Sequence, residues 1–201
     1  MYQKYWKRIL DVVLSGLAIL ALSPLLAVIA VWIRLDSAGP VFFRQTRIGV
    51  RKTQFEILKF RTMRADAPKD VPTHLFSDAD QWITRAGRFL RKTSLDELPQ
   101  ILQIFTGKMS FVGPRPALWN QYDLIAARDK YGANDALPGL TGWAQVNGRD
   151  ALSVQEKAQR DGEYAAHVTF GMDMLCLWKT VKTVVTREGY CEGAAERKKR
   201  K

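Results

Sequence analysis

The 22 consecutive residues from Val12 to Ile33 carry no charge. At about 1.5 Å per residue, a helix of that length reaches roughly 33 Å, enough for the hydrocarbon core of a bilayer. The run is interrupted at its centre, where Leu20-Ala-Leu-Ser-Pro-Leu-Leu-Ala-Val28 sets Ser23 and Pro24 among aliphatic residues. Proline removes a backbone donor and its ring crowds the preceding turn, costing about 3 kcal/mol in a helix interior. A serine beside it can hydrogen-bond a carbonyl so freed, which matters where no water is present. A bend at Ser23-Pro24 is expected.

Cations flank the run on both sides, with Lys4, Lys7 and Arg8 before it and Arg34, Arg44, Arg47, Arg51 and Lys52 after it. Basic flanks stay on the cytoplasmic side, so both ends are pulled to one face. A helix that breaks and leaves by the face it entered meets both conditions. A spanning helix with a tolerated proline kink is the alternative these residues leave open. A cleaved signal peptide fits less well, because a cut after Ala21-Leu22-Ser23 leaves Pro24 beside the scissile bond and apolar sequence beyond it.

With 201 residues, the chain has room for one catalytic unit and an appendage. Lys and Arg outnumber Asp and Glu by 31 to 20, a net charge of +11, so the partner is acidic: nucleic acid, anionic lipid or a phosphorylated small molecule. Two cysteines, Cys176 and Cys191, make no secreted disulfide framework, and a reducing cytosolic setting is expected. His74 and His167 stand apart without a Cys/His cluster, so no zinc site is expected.

After the apolar run, Pro40–Arg47 and Thr53–Thr62 are rich in β-branched and aromatic residues and flank Ile48-Gly49-Val50-Arg51-Lys52, a β-hairpin pattern. Lys59 and Arg61, two apart on the second strand, share a face on which two cations can meet one anion or simply face water. Ala65 to Asp80 reads as a loop. Helical patterns cover Ile83–Lys92, Leu98–Phe105, a stretch opened by the capping box Ser153-Val-Gln-Glu156, and Phe170–Arg187 with Gly189 as its stop. Lys179, Lys182 and Arg187 suit the last helix to an anionic lipid surface, or it packs on the core.

The densest polar stretch is Phe89-Leu-Arg-Lys-Thr-Ser-Leu-Asp-Glu-Leu-Pro-Gln100. Ser94-Leu-Asp-Glu97 is itself a capping box, and acids in a first helical turn complement the helix dipole. The functional reading is that Asp96 and Glu97, preceded by Arg88, Arg91 and Lys92, stay ionised and bind Mg²⁺ while one of them attacks phosphorus. In Phe111-Val-Gly-Pro-Arg-Pro116 two prolines stiffen the backbone around Arg115, whose planar fork suits phosphate. Leu137–Arg149 offers glycines, Gln145, Asn147 and Arg149 as nucleotide contacts, but matches no dinucleotide or P-loop fingerprint.

Taken in order behind a basic apolar N-terminus, Lys59-Phe-Arg-Thr-Met63, Thr93-Ser-Leu-Asp-Glu-Leu-Pro-Gln100, Gly113-Pro-Arg-Pro116 and Pro138-Gly-Leu-Thr-Gly-Trp-Ala-Gln-Val-Asn-Gly148 resemble the bacterial sugar transferases, the monotopic phosphoglycosyl transferases. The resemblance covers about Tyr5 to Gly189. It implies an α+β fold, mainly helical with a small hairpin, in which residues 1–36 form a re-entrant membrane helix broken at Ser23-Pro24. Residues 37–189 then form a catalytic domain with interfacial helices on the cytoplasmic face of the bacterial inner membrane, followed by a basic tail, 190–201.

The resemblance further implies that Asp96 attacks the sugar-bearing phosphate of a UDP-sugar, UMP leaves, and polyprenyl phosphate takes the phosphosugar from the enzyme. Glu97 completes the dyad, as a Mg²⁺ ligand or in proton handling. Arg91 and Arg115 hold phosphate, with Lys59 and Arg61 as further candidates, and Asp161 and Tyr164 match an Asp-x-x-Tyr pattern. Lys108 stands where the family commonly has an acid. An N-acetylated hexose is the expected sugar, with galactose or glucose as alternatives. UDP-sugar, polyprenyl phosphate and membrane lipids are the expected partners, nucleic acid is not, and the oligomeric state is left open, a homodimer being one option. The competing class is a membrane-tethered basic protein that binds anionic lipid or nucleic acid without catalysis.

Overall fold

A computed structural model describes residues 1–68 and 79–186; the basic tail 190–201, Gly189 and most of the expected loop lie outside the described residues. A π-helical turn, Tyr2–Trp6, leads into α1, Lys7–Asp36. β1 (Phe42–Ile48) and β2 (Gln54–Phe60) form the expected antiparallel hairpin, with Phe42 opposite Phe60 and Ile48 opposite Gln54. There follow α2 (Ala79–Trp82), α3 (Arg85–Thr93), α4 (Gln100–Phe105), β3 (Ser110–Val112), α5 (Tyr122–Asp129), β4 (Gly139–Thr141), α6 (Trp143–Val146), α7 (Val154–Ala166) and α8 (Phe170–Thr186). The mainly helical reading with a small hairpin holds. β3 and β4 pair in parallel, Ser110 with Gly139 and Val112 with Thr141. Strands of three residues are too short to show an alternation in sequence.

α1 remains helical through Pro24. The residue four before a proline loses its amide partner, here the Leu20 carbonyl, and Ser23 Oγ donates to that oxygen at 2.9 Å. The Ser-Pro pair thus repairs the gap it makes, without a non-helical interruption.

Both arms of α1 are fastened to the rest of the chain. On the first arm, Arg8 donates to the Ile104 and Phe105 carbonyls at 2.6 and 2.8 Å, and Lys7 pairs with Asp173 at 2.6 Å. On the second, Ile29 and Ile33 are buried with Phe60 and Leu90, and Asp36 accepts from the Ala86 amide at 3.1 Å. Between the arms Leu17, Leu20 and Val28 are exposed. Only 11 % of the most apolar window is buried, so α1 is unlike the core helix of a soluble protein and is long and apolar enough to cross a membrane.

β2 is covered on both faces. Phe60 packs toward α1 and α3, while Ile57 packs with Ile104 and Met109 from the other side. Lys59 shares the Ile57 face, which turns it toward the chain between α3 and α4. The capping box of α7 forms as expected: Ser153 Oγ accepts from the Glu156 amide at 3.3 Å, and Glu156 accepts from the Ser153 amide at 2.7 Å.

Candidate active site

The carboxylate pair sits in a single 3₁₀ turn, Leu95–Glu97, between α3 and α4. The capping box expected at Ser94 does not form. Ser94 takes the left-handed conformation (φ 57°), its amide returns to the Leu90 and Arg91 carbonyls, and α4 starts only at Gln100, after Pro99. Both carboxylates are therefore released from capping duty.

Glu97 Oε1 accepts from Lys59 Nζ at 2.7 Å and from Arg115 Nη2 at 2.6 Å, and Oε2 accepts a longer bond of 3.4 Å from Arg115 Nη1. Burial alone raises the Glu97 pKa, but Arg115 and Lys59 outweigh it and hold the carboxyl well below the usual range. Asp96 instead lines a cavity of about 520 Å³ together with Arg47, Lys59, Thr62 and Arg91. Burial pushes the Asp96 carboxyl up to about 6, against the pull of Lys59, Arg91 and Arg115 and with the help of the Glu97 charge. Neighbouring acids with opposite shifts are the mark of divided roles. Lys59 and Arg115 anchor Glu97 and favour its charged form, while Asp96 faces the cavity.

Arg91 reaches the cavity from α3 and is steadied by Thr62, whose Oγ1 accepts from Arg91 Nε at 2.9 Å. α3 approaches that segment closely because Gly87 has no side chain; a Cβ there would collide with the Thr62 backbone.

Arg115 is presented by the turn after β3, and the Gly-rich segment braces this turn. The Gly113 amide donates to the Thr141 carbonyl and the Gly139 amide to the Pro114 carbonyl, each at 2.9 Å. A Cβ on Gly139 or Gly142 would strike the Gly113 backbone. These glycines serve backbone-to-backbone packing. Two arginines hold the next carbonyls: Arg128 Nη2 donates to Arg115 O at 2.9 Å and Arg47 Nη1 to Pro116 O at 3.1 Å.

The remaining sequence candidates divide accordingly. Asp161 forms a buried ion pair with Arg128, accepting from Nη2 at 2.5 Å and from Nε at 2.9 Å, so it acts on Arg115 through Arg128. Tyr164 is buried and donates to Asp173 at 2.6 Å, which ties α7 to α8. Gln145 donates to the Leu140 carbonyl at 3.1 Å, Asn147 to the Trp143 carbonyl at 2.8 Å, and Arg149 stands in a turn with φ 51°. Arg61 lines the cavity, yet its guanidinium donates to the Ser37 and Ala38 carbonyls at the end of α1, at 2.8 and 2.5 Å. It diverges from Lys59 because β2 ends at Phe60 and the strand alternation ends with it. Asp96, Glu97, Lys59, Arg91 and Arg115 are brought together. Thr62, Arg128 and Arg47 join them unannounced; the one sequence signal for Arg47 was its place among the flanking cations.

Among the described residues no three His, Cys, Asp or Glu side chains gather as a metal cage. Mg²⁺ commonly binds one or two carboxylates and completes its shell with water and substrate phosphates. Asp96 lines the cavity and Glu97, next to it in the same turn, has Oε2 engaged only by a 3.4 Å bond from Arg115, a two-carboxylate donor set that fits that mode.

The family model described as bacterial sugar transferase matches residues 2–187. This chain belongs to the bacterial sugar transferase family. An uncharacterized sugar transferase of Bacillus subtilis, EpsL, is 36 % identical over 183 residues, which is 91 % of this chain and 89 % of that protein. The UDP-glucose:undecaprenyl-phosphate glucose-1-phosphate transferase of Escherichia coli is 38 % identical; the match takes 92 % of this chain but 41 % of the larger protein. Its namesake in Caulobacter vibrioides is 39 % identical, over 90 % of this chain and 70 % of that one. Within this bacterial sugar transferase the matched region contains every residue of the dyad and its cations.

Proposed function

We propose that this chain transfers a sugar-1-phosphate from a UDP-sugar to a polyprenyl phosphate and releases UMP. One observation carries the reading: Asp96 faces a cavity that Lys59 and Arg91 also line, while Glu97, its neighbour, is fixed between Lys59 and Arg115. A protein that only binds polyanions needs no such division of two acids. The names of the E. coli and Caulobacter relatives support the donor and acceptor classes.

In the first step an Asp96 carboxylate oxygen bonds to the sugar-bearing phosphorus, the bond from that phosphorus to the bridging oxygen breaks, and the electron pair leaves on UMP. In the second, an oxygen of polyprenyl phosphate attacks the same phosphorus and Asp96 departs as carboxylate. Lys59, Arg91 and Arg115 offset the repulsion between an anionic nucleophile and an anionic diphosphate and stabilise the charge that develops on the leaving oxygen. Glu97 keeps Lys59 and Arg115 aimed at that point. Asp96 and Glu97 are the residues that would hold Mg²⁺, which would supply further neutralisation of phosphate oxygens.

In this reading α1 is re-entrant and sets the catalytic domain on the cytoplasmic face of the membrane. Both arms of α1 bind the same domain, which supports entry and exit by one face. The cavity wall includes Pro40, Phe42 and Phe60, next to the end of α1, where a lipid phosphate arrives.

The test is turnover with undecaprenyl phosphate, Mg²⁺ and a panel of UDP-sugars, UDP-glucose and UDP-N-acetylhexosamines first. A lipid-linked sugar diphosphate with equimolar UMP supports the reading; no product from any donor contradicts it.

A further inference from the structure

We propose that Arg47, with Gln45 beside it, holds the phosphate of the departing nucleotide; this rests on the UDP-sugar reading above and assigns a residue to the uridylyl side of the cavity.

Both residues stand on β1 and line the cavity that contains Asp96. Arg47 Nη2 donates to Gln45 Oε1 at 2.6 Å and Nη1 to the Pro116 carbonyl at 3.1 Å, so the guanidinium is fixed by neutral acceptors. Its Nε is buried and has no hydrogen-bond partner. Lys59 and Arg115 share Glu97, and among the described residues Arg47 pairs with no carboxylate. Burial, then the neighbouring Arg115, pushes the Arg47 guanidinium down to about 9. A desolvated cation beside two others is costly until an anion joins it. The planar fork of an arginine suits a phosphate.

Position decides which phosphate. The cavity follows β1 from Phe42, next to the end of α1, to Arg47. Five residues of strand span about 17 Å. Phe42, Phe60 and Arg61 mark the end near the membrane helix, and Arg47 the end remote from it. A lipid phosphate enters beside α1; a soluble nucleotide occupies the far end. The charged neighbours of Asp96 are Lys59, Glu97, Arg91 and Arg115, and those of Arg47 are Arg115, Glu97 and Lys59. Lys59, Glu97 and Arg115 are thus charged neighbours of both Asp96 and Arg47, which joins the nucleophile and Arg47 in one electrostatic group at the cavity they both line.

The experiment compares binding of UMP, uridine and undecaprenyl phosphate to the full chain in detergent with Mg²⁺, for the natural protein, Arg47→Gln and Arg47→Lys. The expected result is a roughly tenfold to hundredfold loss of UMP affinity in Arg47→Gln. Arg47→Lys should lose less, and uridine and undecaprenyl phosphate affinities should be unchanged, which also reports an intact fold. Equal losses for UMP and uridine would show that Arg47 only braces the Pro116 carbonyl and would overturn the assignment. So would an effect confined to undecaprenyl phosphate, or none at all. If the natural protein binds neither UMP nor uridine, the donor reading itself fails and the assignment falls with it; UMP binding that ignores Arg47 refutes the assignment alone.

Discussion

Arg115 Nη2 lies 2.6 Å from Glu97 Oε1, joining the turn after β3 to the turn after α3 across 18 residues of sequence. Lys59 binds the same oxygen from β2, so one carboxylate fixes the relative placement of three elements around Asp96. Replacing Glu97 by Gln keeps the shape but leaves two partly buried cations sharing a neutral acceptor. Small misplacements of catalytic groups cost about a hundredfold, and turnover of Glu97→Gln is expected to fall by at least that factor. Steady-state kinetics beside thermal melting checks this: a large loss of kcat with a modest fall in Tm is expected.

Asp161 is paired with Arg128 and is expected to act as its support. The pair is buried on both sides, with side chains 5 % and 2 % exposed. Breaking such a pair costs about 3–5 kcal/mol, and for a domain of this size each 1 kcal/mol moves Tm by roughly 2–4 °C. Asp161→Asn should therefore melt about 10 °C lower and lose activity through Arg115, which scanning calorimetry and kinetics together reveal. A substrate contact predicts a raised KM with Tm unmoved.

The ionisation of Asp96 sets the acid limb of the first half-reaction. Its carboxyl is pushed up to about 6, so the attacking anion is depleted as pH falls through that value and restored above it. UMP release should rise with pH through a midpoint near 6 rather than near the ordinary carboxyl value of about 4. Lys59→Met removes a neighbouring positive charge that favours the anion, and should move the midpoint upward.

Topology of α1 is testable by labelling. A cysteine at Tyr2 and another on the exposed face of the catalytic domain should react with an impermeant thiol reagent from the same side of sealed vesicles. Pro24→Ala restores the backbone donor to the Leu20 carbonyl and removes the ring that crowds the preceding turn, so a fraction of that variant should present Tyr2→Cys on the opposite side. Identical labelling of the two proteins would mean that the Ser-Pro pair does not set the topology.

The hairpin, the amphipathic helices and the Asp96-Glu97 pair were legible because each is written in adjacent residues: alternation, helical period, or two neighbouring acids. What sequence spacing concealed was partnership. Lys59 and Arg61 are equivalent by alternation, but the strand ends between them, and one meets Glu97 while the other grips the end of α1. Asp161 was legible only as part of an Asp-x-x-Tyr pattern, and α5 brings Arg128 to it. The capping box at Ser94 matched its pattern but lost to a left-handed residue that closes α3. The glycines of 138–148 signal close approach, and only the parallel pairing of β3 with β4 shows that the object approached is the chain itself.

The most direct test of the central role of Asp96 is intact mass. Detergent-solubilised protein is mixed with Mg²⁺ and a UDP-sugar that supports turnover, without lipid acceptor, alongside Asp96→Asn. A stoichiometric burst of UMP with a mass gain of one sugar phosphate, present in the natural protein and absent from Asp96→Asn, is the expected result. A mass gain that survives in Asp96→Asn, or turnover of the natural protein with neither burst nor adduct, would contradict Asp96 as nucleophile.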